Sequence, residues 1–338
     1  MESIVLMQTK WSQSLHVPLY LFFGGLASGM FIVAAVADLV GIKVPRFGRL
    51  SRVVAIAAIP ILVLAGFFLT SHLGKPERGF AFPVFFTNYE SWMTRGGWVV
   101  GSASPFIVAY AALWWFGVMP GLRRTLAVIG IPFGAGLAMY TGALLGGAGF
   151  VPLWSMKYLP ILFLNSGLTT GVAAAGFSAA LVWPWLREPR EGARPVIAWL
   201  SVALIVMIGL ELFELYSFMT YLASEPGGKL SAAPTGLFVA PIGSRTAYEY
   251  VTQGALAPWF WGGIIGVGLL VPLALTLPEF LVRRWAVPIA TVKFALVLIG
   301  GFMLRWVIVH GGDVKAPLPF PPQSWPVPGV PPIPGLGG

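Results

Sequence analysis

Two carboxylates stand three residues apart in an otherwise apolar stretch, at Glu211 and Glu214 of IGLELFELYSF. An i, i+3 spacing puts both on one helix face. Such a pair in a low dielectric suits proton transfer, because like charges there repel strongly. The structural alternative is pairing with Lys293 or Arg305 of the last apolar run. Similar depth along the chain makes Glu214 and Arg305 the expected pair. Asp38 is a third acid, near the end of the first apolar run. It reads either as a member of the same proton path or as an interfacial carboxylate.

A second group of polar side chains gathers near run ends. His16 and Tyr20 are one helical turn apart, Tyr140 lies in the fourth run, Asn165, Thr169 and Thr170 lie in the fifth, and His72 closes the second. A quinone needs an apolar slot and one donor at each carbonyl, to orient the ring and supply protons on reduction. Histidine and tyrosine at a membrane boundary fit that chemistry. Each tyrosine alone reads more readily as an aromatic-belt residue. Convergence at one depth, more than any single residue, supports the binding reading.

These residues need long apolar elements to hold them, and the composition supplies little else. Of 338 residues, 57% are hydrophobic and 10% charged. A soluble domain carries roughly 25% charged residues, so the bilayer must be this chain's solvent. A helix of about 20 apolar residues crosses the hydrocarbon. Eight such runs occur, near 17–41, 52–72, 97–118, 124–147, 158–185, 195–222, 258–280 and 286–309. Open sheet edges are excluded in lipid. The expected fold is therefore an all-α integral membrane protein with about eight transmembrane helices. Glycines within the runs, as in FFGGLASGMF, read as close helix packing. No internal repeat is visible and no A-x-A cleavage site follows the first run, so neither an inverted-repeat transporter nor a cleaved leader is expected.

An even number of spans puts both termini on one side. Eleven of the 21 Lys and Arg residues fall in the four odd connectors, at Lys43, Arg46, Arg49, Arg52, Arg123, Arg124, Arg187, Arg190, Arg194, Arg283 and Arg284. Positive loops stay cytoplasmic. Both termini and the longer even connectors then face outward, toward a periplasm or its equivalent. The net charge of +9 reflects this bias and is not a nucleic-acid signal. Zero cysteines exclude disulfides and Cys-ligated zinc or iron–sulfur centres within this chain, and three histidines leave few ligands for haem. Residues 1–315 read as one transmembrane domain. Residues 316–338, about half Pro and Gly, read as an extended polyproline tail that a partner would have to hold still.

Four passages resemble the NrfD/PsrC family, the membrane subunits of polysulfide-reductase-like complexes. They are PLYLFFGGLASGMF, HLGKPERGF with SWMTRGGWVVG, YTGALLGGAGFVPLW, and LPILFLNSGLTTGVAA. The likeness covers roughly residues 15–180. It implies two four-helix bundles in a prokaryotic inner membrane, with no metal or haem in this chain. It also implies menaquinone or ubiquinone, an iron–sulfur partner subunit, and a catalytic partner of molybdopterin type. Tyr140 matches the family's quinone-site tyrosine. Tyr20 occupies the first-span polar position where relatives can have histidine, while this protein's histidine is a turn earlier, at His16. The family's Asp-Leu-Gly-Arg-Pro connector here begins His72-Leu73-Gly74-Lys75-Pro76, so an imidazole replaces the carboxylate.

The leading expectation is a quinone-binding subunit that is not catalytic alone. It passes electrons between the quinone pool and an iron–sulfur partner, and proton transfer is a further expectation. His16, Tyr20, Tyr140, Asn165 and His72 are the quinone candidates. Asp38, Glu211, Glu214, Lys293 and Arg305 are the proton-transfer or pairing candidates. Lys75, Glu77 and Arg78 would dock the partner. A purely structural anchor is the alternative, and an ion or solute transporter a more distant one.

Overall fold

The computed structural model describes residues 14–71, 88–149, 151–182, 193–224, 243–282 and 284–314. His72, Lys75, Glu77, Arg78 and the 316–338 tail lie outside the described residues. Among those described there are helices and no strands. The helices are α1 His16–Gly41, α2 Pro45–Ser71, α3 Trp92–Phe116, α4 Pro120–Gly146, α5 Leu159–Val182 and α6 Ala193–Ala223, followed by a short α7 Ser244–Thr252, then α8 Pro258–Leu281 and α9 Ala286–Gly311. All except α7 are long and apolar enough to cross a membrane, eight spans among the described residues.

Several helices begin earlier than their apolar runs. α2 starts at Pro45 and carries Arg46, Arg49 and Arg52 in its opening turns, and α4 starts at Pro120, ahead of Arg123 and Arg124. Hydropathy sees only the part of a helix in hydrocarbon, whereas the backbone hydrogen bonds continue into the interface. Proline at the first helical position suits this, since its missing N–H is unpaired there in any case. Gly117 ends α3 in the left-handed region, with φ 69°, and its N–H bonds to the Leu113 carbonyl. A side chain there would be strained.

α1 and α5 are the most enclosed helices, and they pack against each other. Their crossing depends on small residues. A Cβ at Gly29 would overlap the Gly167 carbonyl, and one at Gly171 would overlap the Gly29 backbone. α1 also packs on α2, α4 and α9, α3 packs on α2 and α4, and α5 packs on α4, α6 and α9. α8 lies along α9, where Gly268 and Gly300 meet backbone to backbone. In lipid such close approach replaces the hydrophobic drive that water supplies to soluble bundles. The first part of α8, Pro258–Leu270, is wound as a π-helix and only Val271–Leu281 as an α-helix.

One buried network ties four spans together at the end that carries the basic connectors. Arg123 of α4 grips Asp38 of α1 with Nε–Oδ2 at 2.8 Å and Nη2–Oδ1 at 2.9 Å. Its guanidinium lies 3.5 Å from the centre of the Trp114 ring of α3. Tyr110 of α3 donates to the Ala34 carbonyl at 3.1 Å and shares a 2.8 Å hydroxyl contact with Ser51 of α2. Asp38 is thus a paired, buried acid and not one lying free at the interface.

Candidate functional site

The chemistry-bearing side chains fall into three groups. The first sits where α1 and α3 begin and α4 ends, opposite the Asp38–Arg123 network along α1. Tyr20 and Tyr140 are both buried and near enough for their phenols to interact electrostatically. Gly96 of α3 makes room for the second ring, since a Cβ there would overlap the Tyr140 ring and hydroxyl. Gly147 does the same for Trp92. Arg95 stacks over Trp92 at 4.8 Å and donates to the Tyr89 carbonyl at 2.7 Å. His16 is exposed, one turn beyond Tyr20, with its Nδ1 2.7 Å from Ser14 Oγ and its ring edge-on to Phe68 at 6.0 Å. A histidine, two tyrosines and an aromatic-lined surface therefore share one end of the helices.

The second group lies between α5, α6 and α9. Glu211 is buried, lies close to the Ser166 and Thr169 hydroxyls, and interacts electrostatically with Arg305. Arg305 is fully buried. Its Nη1 donates to Ser166 Oγ and to the Gly301 carbonyl at 3.0 Å, and its Nη2 donates to the Phe163 carbonyl at 3.4 Å. Glu214 is half-buried beside Glu211 and close to Asn165, while its Oε2 finds no hydrogen-bond partner among the described residues. Asn165 Nδ2 also reaches the Met207 carbonyl at 3.3 Å. A small cavity adjoins the group, lined by Ser166, Thr169, Thr170 and Glu211 together with Val297 and the Gly300–Gly301 pair. Its room for water is about 10 Å³, enough for about one molecule.

Two placements differ from the sequence reading. Glu211, and not Glu214, is the carboxylate beside Arg305. Helical phase decides this: the two acids share a face, but a single turn separates them, and only Glu211 is level with Ser166. Asn165 engages α6 and the acid pair, not the tyrosines at the helix ends. The groups remain neighbours, because Arg305 Nη2 lies 3.2 Å from the point a Cβ on Gly25 would occupy. Gly25 is five residues from Tyr20, about 7.5 Å along α1.

The third group differs from expectation altogether. Lys293 pairs with neither glutamate of α6. It forms a fully buried ion pair with Glu279 of α8, and Ser201 of α6 bridges the two, 2.7 Å from Lys293 Nζ and 2.7 Å from Glu279 Oε1. Glu279 falls at a run end next to Arg283 and Arg284, where an acid reads as solvated. Ser166, inside LPILFLNSGLTTGVAA, carries no signal of its own. Among the described residues, no group of three or more His, Cys, Asp or Glu side chains is disposed to hold a metal ion.

Eight apolar helices among the described residues, with polar groups at one end and ionisable groups buried between them, define a multi-pass integral membrane protein. The family model described as "Polysulphide reductase, NrfD" matches residues 6–317, and the chain belongs to that family. It is 25% identical to the C subunit of polysulfide reductase from Wolinella succinogenes over 317 residues, covering 88% of this sequence and 93% of that protein. It is 29% identical to "Protein NrfD" of Escherichia coli (strain K12) over 194 residues, 57% of this sequence. The match spans only about half, 53%, of that second relative's length.

Proposed function

We propose that this chain is the quinone-binding membrane subunit of a respiratory oxidoreductase, with its quinone site at Tyr20 and Tyr140. The observation that carries the reading is the meeting of two buried phenols from α1 and α4 at one helix end, over a glycine that makes room for a ring. The fit to a quinone is chemical. Each phenol hydroxyl can donate to a carbonyl oxygen, and the surrounding helix ends are apolar and aromatic. When bound, quinone would supply the two-electron, two-proton carrier. Tyr140 and Tyr20 would orient the ring and hold protons at their hydroxyls, and exposed His16 would exchange protons with the surface. Gly96 would keep water out by letting α3 close on the Tyr140 ring.

The rest of the reading follows from this site and from membership of the family. Electrons would pass between quinone and an iron–sulfur subunit docked on the face that carries His16, where His72, Lys75, Glu77 and Arg78 are the docking candidates. A catalytic subunit of molybdopterin type would complete the complex. The name of the Wolinella succinogenes relative, which numbers it among several subunits of a reductase, supports the expectation of partners. α1–α4 and α5–α9 would form the two four-helix bundles, α7 aside. The pairing of α1 with α2 and α4, of α5 with α6 and α9, and of α8 with α9 fits that grouping, with α1 against α5 as the seam between the bundles. Residues 1–315 would then be one domain, with both termini on the outer face of a prokaryotic inner membrane. Glu211 and Glu214 would pass protons toward the site, with Arg305 holding Glu211 in place by its charge.

Replacing Tyr140 by Phe in the assembled complex should keep the ring and remove the donor. Quinone affinity and quinone-linked turnover should each fall at least tenfold. Unchanged values would remove Tyr140 from the site and favour a purely structural anchor.

A further inference from the structure

At the end with the basic connectors, a cleft opens between the start of α6, the end of α8 and the start of α9. It has roughly 100 Å³ of room for water and is lined by Arg194, Ile197, Ala198, Glu279, Phe280, Ala286 and Val287. The only carboxylate among these lining residues is Glu279, which belongs at the same time to the buried Lys293–Ser201 group. One acid thus touches the cleft on one side and a fully buried ammonium on the other.

The same face of α9 continues inward. Val297 is one turn above Lys293, Gly300 and Gly301 follow, and Arg305 is twelve residues away, about 18 Å along the helix. Val297, Gly300 and Gly301 all line the small cavity that reaches Glu211, Thr169 and Thr170. α6 makes a parallel step, from Ser201 to Glu211, about 15 Å. Between the cavity and Lys293 the remaining gap is a single turn, about 6 Å. Leu204 and Ile208 of α6 are buried over the same stretch. Two polar groups, a one-water cavity and an open cleft therefore stand in line along three helices, with one apolar turn between them.

We infer that Glu279, Ser201 and Lys293 form the proton uptake point of this protein, connecting the cleft on the basic-connector side to Glu211 and the quinone region. The inference rests on the proposed quinone reading and adds the side from which protons come. The transfers balance without a redox step. A hydronium ion in the cleft protonates a Glu279 carboxylate oxygen, which loosens its hold on the Lys293 ammonium. Lys293 then gives one Nζ proton to water at the Val297 turn, that water protonates the Glu211 carboxylate, and the neutral amine takes the Glu279 proton directly or through Ser201 Oγ. Each group returns to its starting state when the next proton arrives. The other charged group lining the cleft at this point is Arg194; the Phe294 ring lies 5.0 Å from Lys293 Nζ. The buried pair is a gate in this scheme, because a lysine clamped by its carboxylate cannot pass a proton inward until that carboxylate is protonated.

The test uses the assembled complex in liposomes, with reduced benzyl viologen as electron donor and a short-chain quinone as acceptor. Protons taken up on the basic-connector side are read with a pH dye, per two electrons transferred. Glu279→Gln should lower that uptake at least tenfold at unchanged quinone affinity, and Glu279→Asp should restore it to within threefold. A merely structural ion pair predicts the opposite: lower complex yield, with normal uptake per electron in what assembles. Should Glu279→Gln fail to assemble, Ser201→Ala and the cavity-filling Val297→Leu carry the test. Each should slow uptake at least threefold with a larger rate loss in D₂O, and unchanged rates would overturn the inference. Normal quinone turnover with uptake insensitive to all these changes removes this inference alone. A wild-type complex that neither binds nor turns over quinone removes the quinone reading and this inference with it.

Discussion

Arg123 shows what one side chain can hold together. It makes two charge-assisted bonds to Asp38 and covers Trp114, and both members of the ion pair are buried. Removing one member of such a pair leaves an uncompensated charge, at a cost of about 3–5 kcal/mol, whereas replacing both can be nearly neutral. Asp38→Asn should therefore lower the thermal unfolding midpoint in detergent sharply, and Asp38→Leu combined with Arg123→Leu should recover most of the loss. A midpoint unchanged by Asp38→Asn would show the pair to be dispensable. Sequence alone locates these ionisable residues but not their partners. Asp38, Glu211, Glu214, Lys293 and Arg305 stand out because charge is rare in apolar runs. Their pairing depends on rotation about each helix axis, and an error of one turn along a span is enough to exchange Glu211 for Glu214. Lys293 finds Glu279 for a related reason: its partner sits at a run end, where burial leaves no trace in composition.

At the scale of elements, glycine decides how closely helices approach. Gly96 lies against the Tyr140 ring, so Gly96→Ala must move that ring or α3. Quinone affinity should drop at least tenfold, with the complex still assembled, when binding is titrated in the purified protein. Gly29→Val should act differently, because its obstacle is the Gly167 backbone and backbone cannot swing aside. Loss of folded protein, read as yield by size-exclusion chromatography, is the expected outcome there. The spans themselves are legible, since eight runs of apolar residues have few other uses. Their starts are less so. α2 begins seven residues before its apolar run, at Pro45, because helical hydrogen bonding continues through Arg46 and Arg49 into the interface. The π-helical winding of Pro258–Leu270 leaves no mark in the hydrophobic pattern, which is apolar on all sides.

For the whole molecule, the asymmetry of positive charge sets a direction that labelling can read. The sequence has no cysteine, so a single introduced thiol reports without background. Met119 lies in the short turn between α3 and α4, on the basic-connector side, and Ala148 follows α4 at the opposite end. With the basic loops cytoplasmic, Ala148→Cys should react with a membrane-impermeant maleimide in intact cells. Met119→Cys should react only in inverted vesicles. The reverse pattern would turn the molecule over and move the partner-docking face with it. An orientation of this kind is an expectation that charge counting alone supplies, whereas the packing of α1 against α5 requires the shapes of both helices.

The wide winding at the start of α8 bears on inheritance. An i→i+5 ladder places more residues in each turn than an α-helix does, so Pro258–Leu270 holds slack that its neighbours lack. Losing one residue there can be absorbed by tightening toward α-helical pairing, while Val271–Leu281 and Glu279 keep their facing. Losing one residue from α9, between Lys293 and Arg305, would swing the two cations to different sides of the helix. Length differences among related proteins should therefore collect in the first half of α8 and be scarce in the second half of α9.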